Sequence, residues 1–470
     1  MATDALEGLV LREPANAGAW QQLGFAYRDE QCMAESVRAF ARAVELAPDD
    51  ALSALAHAEV RFESGLPAAA LARRALELAP ENPTAIGCCA VALSAEGQRR
   101  AAENLLVTAL VQRPDWLAGQ KLLATLRYTG GDNSEFARGY AAAVRVLPQN
   151  LPLRMAWFRS VAQARNWEVA TRVIDECERD FGALPAFTIA RLFIASESGD
   201  TARAVALFAA TEQTHDEVRD LAWVRHCLRT GNPQAAEAVA LRLTNSASAR
   251  LAWPYLSLIW RLSGNPRAAW LDGSPLSVRT YDLDFSAGEL EQLASLLRRL
   301  HSVRSPYLEQ SVRGGTQTDR PLFFRHEPII AALKAKTVAA LREYIAALPP
   351  FEAGHPLLGT PREKLLFAGS WSVRLQAKGV HVSHTHPQGW ISSALYIALP
   401  TREQMGSPPA GWFEFGTPPS ELGLSLSPLG QVEPRLGRLL LFPSTLWHST
   451  APFEDGERMT IAFDVRPPLV

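Results

Sequence analysis

Residues 20–48 read WQQLGFAYRDEQCMAESVRAFARAVELAP. Small and apolar residues recur at helical spacing on both sides of a polar break near Gln31, so the segment reads as two short helices and a turn. The repetition of this pattern decides the fold. Prolines stand at 14, 48, 80, 114 and 148, and turn formers follow at Gly65, Gly97, Gly131, Asn166, Gly199, Gly231 and Gly264, every 32 to 35 residues. Segments 66–76, 200–208 and 232–242, each just after such a turn, carry aliphatic and small residues at helical spacing. About eight helical hairpins therefore fill residues 1–270. One hairpin has too little apolar surface to fold alone, so neighbours must stack into a curved solenoid. Its concave face suits a peptide or protein partner, the alternatives being a dimerisation surface or a rigid spacer.

Position by position, Trp20, Leu23, Gly24, Tyr27, Phe40, Ala43 and Pro48 resemble the tetratricopeptide pattern W-x2-L-G-x2-Y…F…A…P. The match is clear in the first units and degenerate from about residue 150. Trp157, Trp167, Trp223, Trp253 and Trp260 are read as core residues.

Composition sets the outer bounds. At 470 residues the chain needs two or more structural units. Lys+Arg 47 against Asp+Glu 49 gives no bulk charge with which to bind nucleic acid or anionic lipid. The first residues lack a basic segment followed by an apolar run, and no stretch of about 18 uncharged apolar residues occurs, so a cytoplasmic protein with no membrane span is expected. Cys32, Cys88, Cys89, Cys177 and Cys227 are odd in number and lie outside metal-type spacings, which predicts buried thiols.

After about residue 270 the alanine-rich hairpins end, and residues 271–470 read as a second domain. Val278–Asp284 looks like its first strand, and amphipathic helices are expected at about 287–303 and 327–348. Glu309–Phe323, with its two glycines, reads as a loop between them. Strand-like runs begin at Trp371, Trp390, Gly411, Gly437 and Arg458. Short strands between turn-rich loops predict an antiparallel double-stranded β-helix, or jelly roll, with flanking helices over one sheet.

Four of the ten histidines, His381, His384, His386 and His448, fall on or beside these strands. In an extended segment His384 and His386 point to one face, and His448 can close the same cavity from the facing side. Three imidazoles would hold a divalent metal with coordination positions left open. Ten residues on, Arg458 could clamp a carboxylate by a charge-assisted pair, with the Thr460 hydroxyl adding a hydrogen bond. A metal at one end and a clamp at the other is what a 2-oxo diacid needs. His57, His215, His226, His301, His326 and His355 are read as satisfied surface or core residues.

His384-Thr-His-Pro387, Trp390-Ile-Ser-Ser-Ala-Leu-Tyr396, Pro443-Ser-Thr-Leu-Trp-His448 and Arg458-Met-Thr460 together resemble the non-haem Fe(II)/2-oxoglutarate-dependent oxygenases, in particular their bacterial H-x-H-P branch. More weakly, the likeness extends through Arg313–Thr318 and Leu322-Phe323, so it covers about residues 280–470. It implies Fe(II), 2-oxoglutarate and O2, with His384 and His448 as iron ligands and Arg458 on the C5 carboxylate of 2-oxoglutarate. Tyr396 and Trp447 are candidates to touch 2-oxoglutarate or substrate, or else wall packing. Most of that superfamily places a carboxylate where this chain has His386, so His386 either ligates or borders the metal. Glu414 could substitute as a carboxylate or be a solvated strand residue, and His381 reads as a bystander.

Beside tetratricopeptide units, the resemblance implies a hydroxylase acting on a side chain of a captured peptide or protein. A cupin-type dioxygenase or isomerase shares the fold, but a Glu soon after the H-x-H is missing and Arg458 would have no task. A non-catalytic adaptor with a degenerate barrel is the reading from another class. Halogenation, desaturation and demethylation stay open, halogenation being less attractive because a histidine fills the carboxylate position.

Overall fold

The computed structural model describes residues 2–214, 216–273, 277–307, 310–363 and 365–467. His215 and Glu309, singled out above, lie outside the described residues. The chain divides into two compact units, one of Met1–Ser160 with Arg320–Ala332 and one of Val161–Asp319 with Leu333–Val470. No described helix is long and apolar enough to cross a membrane.

In the first unit, helix Ala2–Arg12 precedes paired helices Ala17–Asp29 and Met33–Leu46, Ala51–Glu63 and Ala69–Leu78, Pro83–Ala95 and Arg99–Gln112, and Leu117–Thr129 and Arg138–Val146. Each pair turns through one left-handed residue: Gln31, Gly65, Gly97 and Gly131 have φ of 61°, 71°, 80° and 98°. Glycine adopts that conformation without a Cβ penalty, which is why it marks the period. Asn16, Asp50 and Asn82 start three of the first helices by accepting a backbone N–H from Ala19, Ser53 and Ala85. Alanines lie at the helix contacts, where Ala43, Ala58, Ala72, Ala75, Ala90 and Ala102 are wholly buried. At Gly24 a Cβ would stand 2.9 Å from the Phe40 ring, so this position of the repeat pattern is set by backbone-to-ring packing. Residues 320–332 join this unit: Phe324 packs against Met33, Phe40 and Val60, and the His326 N–H donates to the Ser64 carbonyl at 3.1 Å.

The second unit carries later hairpins, including Pro185–Ser198 with Thr201–Ala210, Glu217–Arg229 with Pro233–Leu243, and Ala249–Ser263 with Arg267–Asp272. Gly199, Gly231 and Gly264 again take positive φ. At the expected Asn166 marker it is Arg165 that turns left-handed (φ 55°), while Asn166 caps Trp167–Phe181 by accepting the Val169 N–H. Helical tetratricopeptide-like repeats thus make up the N-terminal part of the protein.

Among the described residues nine strands form the β part: β1 Arg279–Asp282, β2 Val312–Gln317, β3 Leu366–His381, β4 Ile391–Ala398, β5 Phe413–Phe415, β6 Gly430–Val432, β7 Arg438–Pro443, β8 His448–Thr450 and β9 Arg458–Arg466. A six-stranded sheet runs β1-β7-β4-β9-β3-β2 and a three-stranded sheet runs β6-β5-β8, with every pairing antiparallel. This is the double-stranded β-helix, flanked by helices Ala287–Leu300 and Pro328–Ala346.

Two expectations need correction. The segment read as a loop at Glu309–Phe323 contains β2, whose glycines mask it: Gly314 is left-handed (φ 67°), and a Cβ on Gly315 would collide with the Arg374 carbonyl. His384 and His386 lie in an irregular stretch after β3, not in a regular strand. His448, shortly past the end of β7, opens the short strand β8. Of the five cysteines, Cys88, Cys89, Cys177 and Cys227 are buried thiols and Cys32 is half-buried; none is in a disulfide.

Candidate metal centre

Two backbone hydrogen bonds bring the distal histidine to the first one. The His384 N–H donates to the His448 carbonyl at 3.0 Å and the His448 N–H returns to the His384 carbonyl at 3.1 Å. This isolated antiparallel bridge leaves the two rings 4.2 Å apart. The chain then bends through His386-Pro-Gln-Gly389, pinned where the His386 N–H donates to the Ser444 carbonyl at 2.9 Å. The His386 ring lies 5.0 Å from each of the others, and potential ligand atoms of all three lie within 4.8 Å of one another.

Their outer nitrogens fix the tautomers. Nδ1 of His384 faces the Val382 carbonyl at 2.8 Å, Nδ1 of His448 faces the Leu446 carbonyl at 2.9 Å, and Nδ1 of His386 faces Asp464 Oδ2 at 2.8 Å. These partners are acceptors, so in the neutral ring each Nδ1 carries the proton and each Nε2 offers its lone pair. Burial, followed by the neighbouring imidazoles, holds His384 and His448 well below the usual histidine range. A neutral imidazole presenting Nε2 is the form that binds a transition metal, so the donor set fits a divalent ion on chemistry as well as spacing.

Strand β9 builds the other end of the cavity. Its alternate residues Arg458, Thr460, Ala462 and Asp464 line a pocket of about 300 Å³ shared with the three histidines, whereas Met459, Ile461, Phe463 and Val465 are buried on the opposite face. Arg458 is 2% exposed. Its Nε donates to the Gly411 carbonyl at 3.2 Å, and its guanidinium lies 4.9 Å over the Tyr396 ring. No carboxylate pairs with it among the described residues, and burial lowers its pKa.

Other candidates find different places. Tyr396 lies under Arg458 in the barrel core and does not line the pocket; burial raises its pKa. Trp447 faces away, its indole N–H donating to the Pro254 carbonyl at 2.8 Å in helix Ala249–Ser263. From the same helix Arg250 donates to the Gly389 carbonyl and Arg261 to the Gly416 carbonyl. Glu414 accepts from Gln431 at 2.6 Å and is not on the pocket wall. His381 does line the pocket, stacked 5.3 Å from His384 and bonded to Ser311 at 3.0 Å, its pKa pushed down to about 3 by burial and by Arg458.

Sequence reasoning missed Asp464. Its Oδ1 accepts from Ser392 at 2.6 Å while Oδ2 holds His386. The period of β9 could have found it, since 464 has the same parity as 458 and 460. Trp371, stacked on His386 at 5.4 Å and 10°, was read only as a strand residue.

Three clustered histidines that could hold a metal ion and a buried arginine thus share one double-stranded β-helix. Residues 369–464 match the family described as "Putative 2OG-Fe(II) oxygenase". No curated protein matches the chain. Among solved structures, it is similar to the viral collagen prolyl hydroxylase of Paramecium bursaria Chlorella virus-1, at 14% identity over 41% of this chain and 97% of that one (TM-score 0.29). A Pseudomonas putida prolyl-4-hydroxylase is 16% identical over 41% and 94% (TM-score 0.29). A tetratricopeptide repeat protein from Parabacteroides merdae is 13% identical over 52% and 98% (TM-score 0.34).

Proposed function

We propose that the protein is an Fe(II)/2-oxoglutarate-dependent oxygenase that hydroxylates a side chain of a peptide or protein captured by its helical repeats. The observation that carries this reading is one pocket lined by three clustered histidines and an Arg458 guanidinium with no carboxylate partner among the described residues. In this reading residues 271–470 are the catalytic domain and residues 1–270 the capture domain, acting in the cytoplasm, where buried unpaired thiols stay reduced.

His384, His386 and His448 would hold the iron. When bound, the metal couples oxidative decarboxylation of 2-oxoglutarate by O2, giving succinate and CO2, to hydroxylation of a C–H bond. Arg458 receives the distal carboxylate of 2-oxoglutarate and Thr460 offers a hydroxyl beside it. Tyr396 backs the guanidinium with its ring face. The apolar wall at Phe413 and Phe442 limits water around the reacting groups.

The test is succinate release by anaerobically Fe(II)-loaded protein on exposure to O2, comparing wild type with His448→Ala and Arg458→Ala. Turnover in wild type and loss in both variants is the expected result. Absence of both turnover and Fe(II)-dependent 2-oxoglutarate binding in wild type would overturn the reading.

A further inference from the structure

We infer that Asp464 is a positioning residue that supplies the negative charge of the absent ligand carboxylate, delivered to the metal through His386. The inference rests on the metal-centre reading above and deepens it. Three imidazoles alone would leave a bound divalent ion with no anionic ligand among the described residues. A carboxylate stands one imidazole away. Asp464 Oδ2 accepts from His386 Nδ1 at 2.8 Å, so the aspartate is hydrogen-bonded to the nitrogen opposite the proposed metal-binding atom. A carboxylate in this place fixes the tautomer, orients the ring and makes Nε2 a stronger donor.

The surroundings show a built arrangement. Asp464 is 6% exposed and no Lys or Arg pairs with it among the described residues. A buried carboxylate needs a counter-charge, and the metal-loaded His386 is the group placed to provide one. Its second oxygen accepts from Ser392 at 2.6 Å, and Ser444 stands 2.8 Å behind Ser392, so a chain of fully buried hydroxyls ends on the carboxylate. Gly389 permits the closure: a Cβ there would meet Ser444 Oγ at 2.4 Å and Asp464 Cβ at 3.2 Å. The loop carrying His386 can therefore lie directly on β9, which Asp464 shares with Arg458.

Asp464→Asn keeps shape and hydrogen bonding, since its side-chain oxygen can still accept from His386 while its amide group faces Ser392. Only the charge is lost. Anaerobic calorimetry of Fe(II) binding, together with the visible spectrum of the Co(II)-substituted protein, tests the assignment on the full chain. Asp464→Asn is expected to weaken Fe(II) binding at least about tenfold, within the 10–100-fold range of such outer partners. It should also shift the Co(II) bands and leave the metal-free protein at least as stable to heat as wild type. The double variant His386→Asp, Asp464→Asn moves the carboxylate into direct contact with the metal and is expected to recover affinity to within a few fold of wild type. Wild-type affinity in Asp464→Asn, or a double variant as weak as the single one, would overturn the inference while leaving the oxygenase reading intact. A wild-type protein that binds no Fe(II) would remove both.

Discussion

Arg458→Met should move stability and ligand affinity in opposite directions. The substitution keeps most of the side-chain volume in the barrel core and deletes a guanidinium that is 2% exposed and has no carboxylate partner among the described residues. Burying an unpaired ion costs several kcal/mol after relaxation. Against that relief stands the bond from Nε to the Gly411 carbonyl, worth about 1 kcal/mol, and the contact with the Tyr396 ring, worth about 1–2 kcal/mol when desolvated. The ligand-free variant is therefore expected to be more stable by about 1–2 kcal/mol, read as a higher urea midpoint at unchanged slope. Truncating one partner of a buried charge pair costs about 2–5 kcal/mol, so 2-oxoglutarate affinity in the Fe(II)-loaded protein should fall about 100-fold. Fe(II) affinity itself should stay within about twofold, because Arg458 is not among the clustered ligands. If the ligand-free variant lost more than about 2 kcal/mol, Arg458 would be a structural cation already satisfied by its surroundings. Unchanged 2-oxoglutarate affinity would place the carboxylate elsewhere.

Three further outcomes are expected. His301 bridges Thr316 at 2.8 Å and Ser372 at 3.1 Å, and burial pushes its pKa down from 6.5 to about 4; a depressed folded-state value means that its contribution is intact above pH 6.5 and is lost as pH falls towards 4, by up to about 3 kcal/mol. His301→Gln should flatten urea midpoints across that window, and an unchanged slope would count against the assignment. Trp447→Phe removes the hydrogen bond to Pro254 and should cost about 1–2 kcal/mol in chemical denaturation, a neutral result showing that the indole N–H finds another acceptor. Leu106→Ala, at a wholly buried contact of the first unit, should cost about 2–5 kcal/mol by thermal or urea unfolding, and a loss below 1 kcal/mol would mean that the helices collapse into the space.

The helical repeats were legible because their signal is periodic and backbone-driven: a left-handed residue is needed at every hairpin, and glycine meets the need at Gly65, Gly97, Gly131, Gly199, Gly231 and Gly264. Arg165 escaped because an ordinary side chain carries the same conformation there, beside an asparagine that looks more suited to it. Strand β2 escaped for the opposite reason, since its glycines imitate a loop while serving close backbone contact with β3. At the site, His384, His386, His448 and Arg458 were visible as residue types, but strand parity does not bring the histidines together. The bridge between His384 and His448 does, and a single long-range backbone pairing leaves no local pattern. Asp464 lay in plain view on β9, yet its partner is 78 residues away.

Helix Ala249–Ser263 has a consequence for how the protein comes apart. It accepts the Trp447 indole one residue before His448, donates from Arg250 into the turn after His386, and forms one apolar cluster with Leu422 and Trp447. If the histidines hold a metal as proposed, its binding and the docking of that helix are linked equilibria: whatever loosens the helix lets the histidine-bearing segments drift, and a bound ion draws the helix back. A fragment starting at residue 271 would bare Trp447 and leave the Gly389 and Gly416 carbonyls without their arginines. Such a fragment should bind iron poorly even with every ligand present, and should regain affinity when the missing hairpin is supplied as a separate chain.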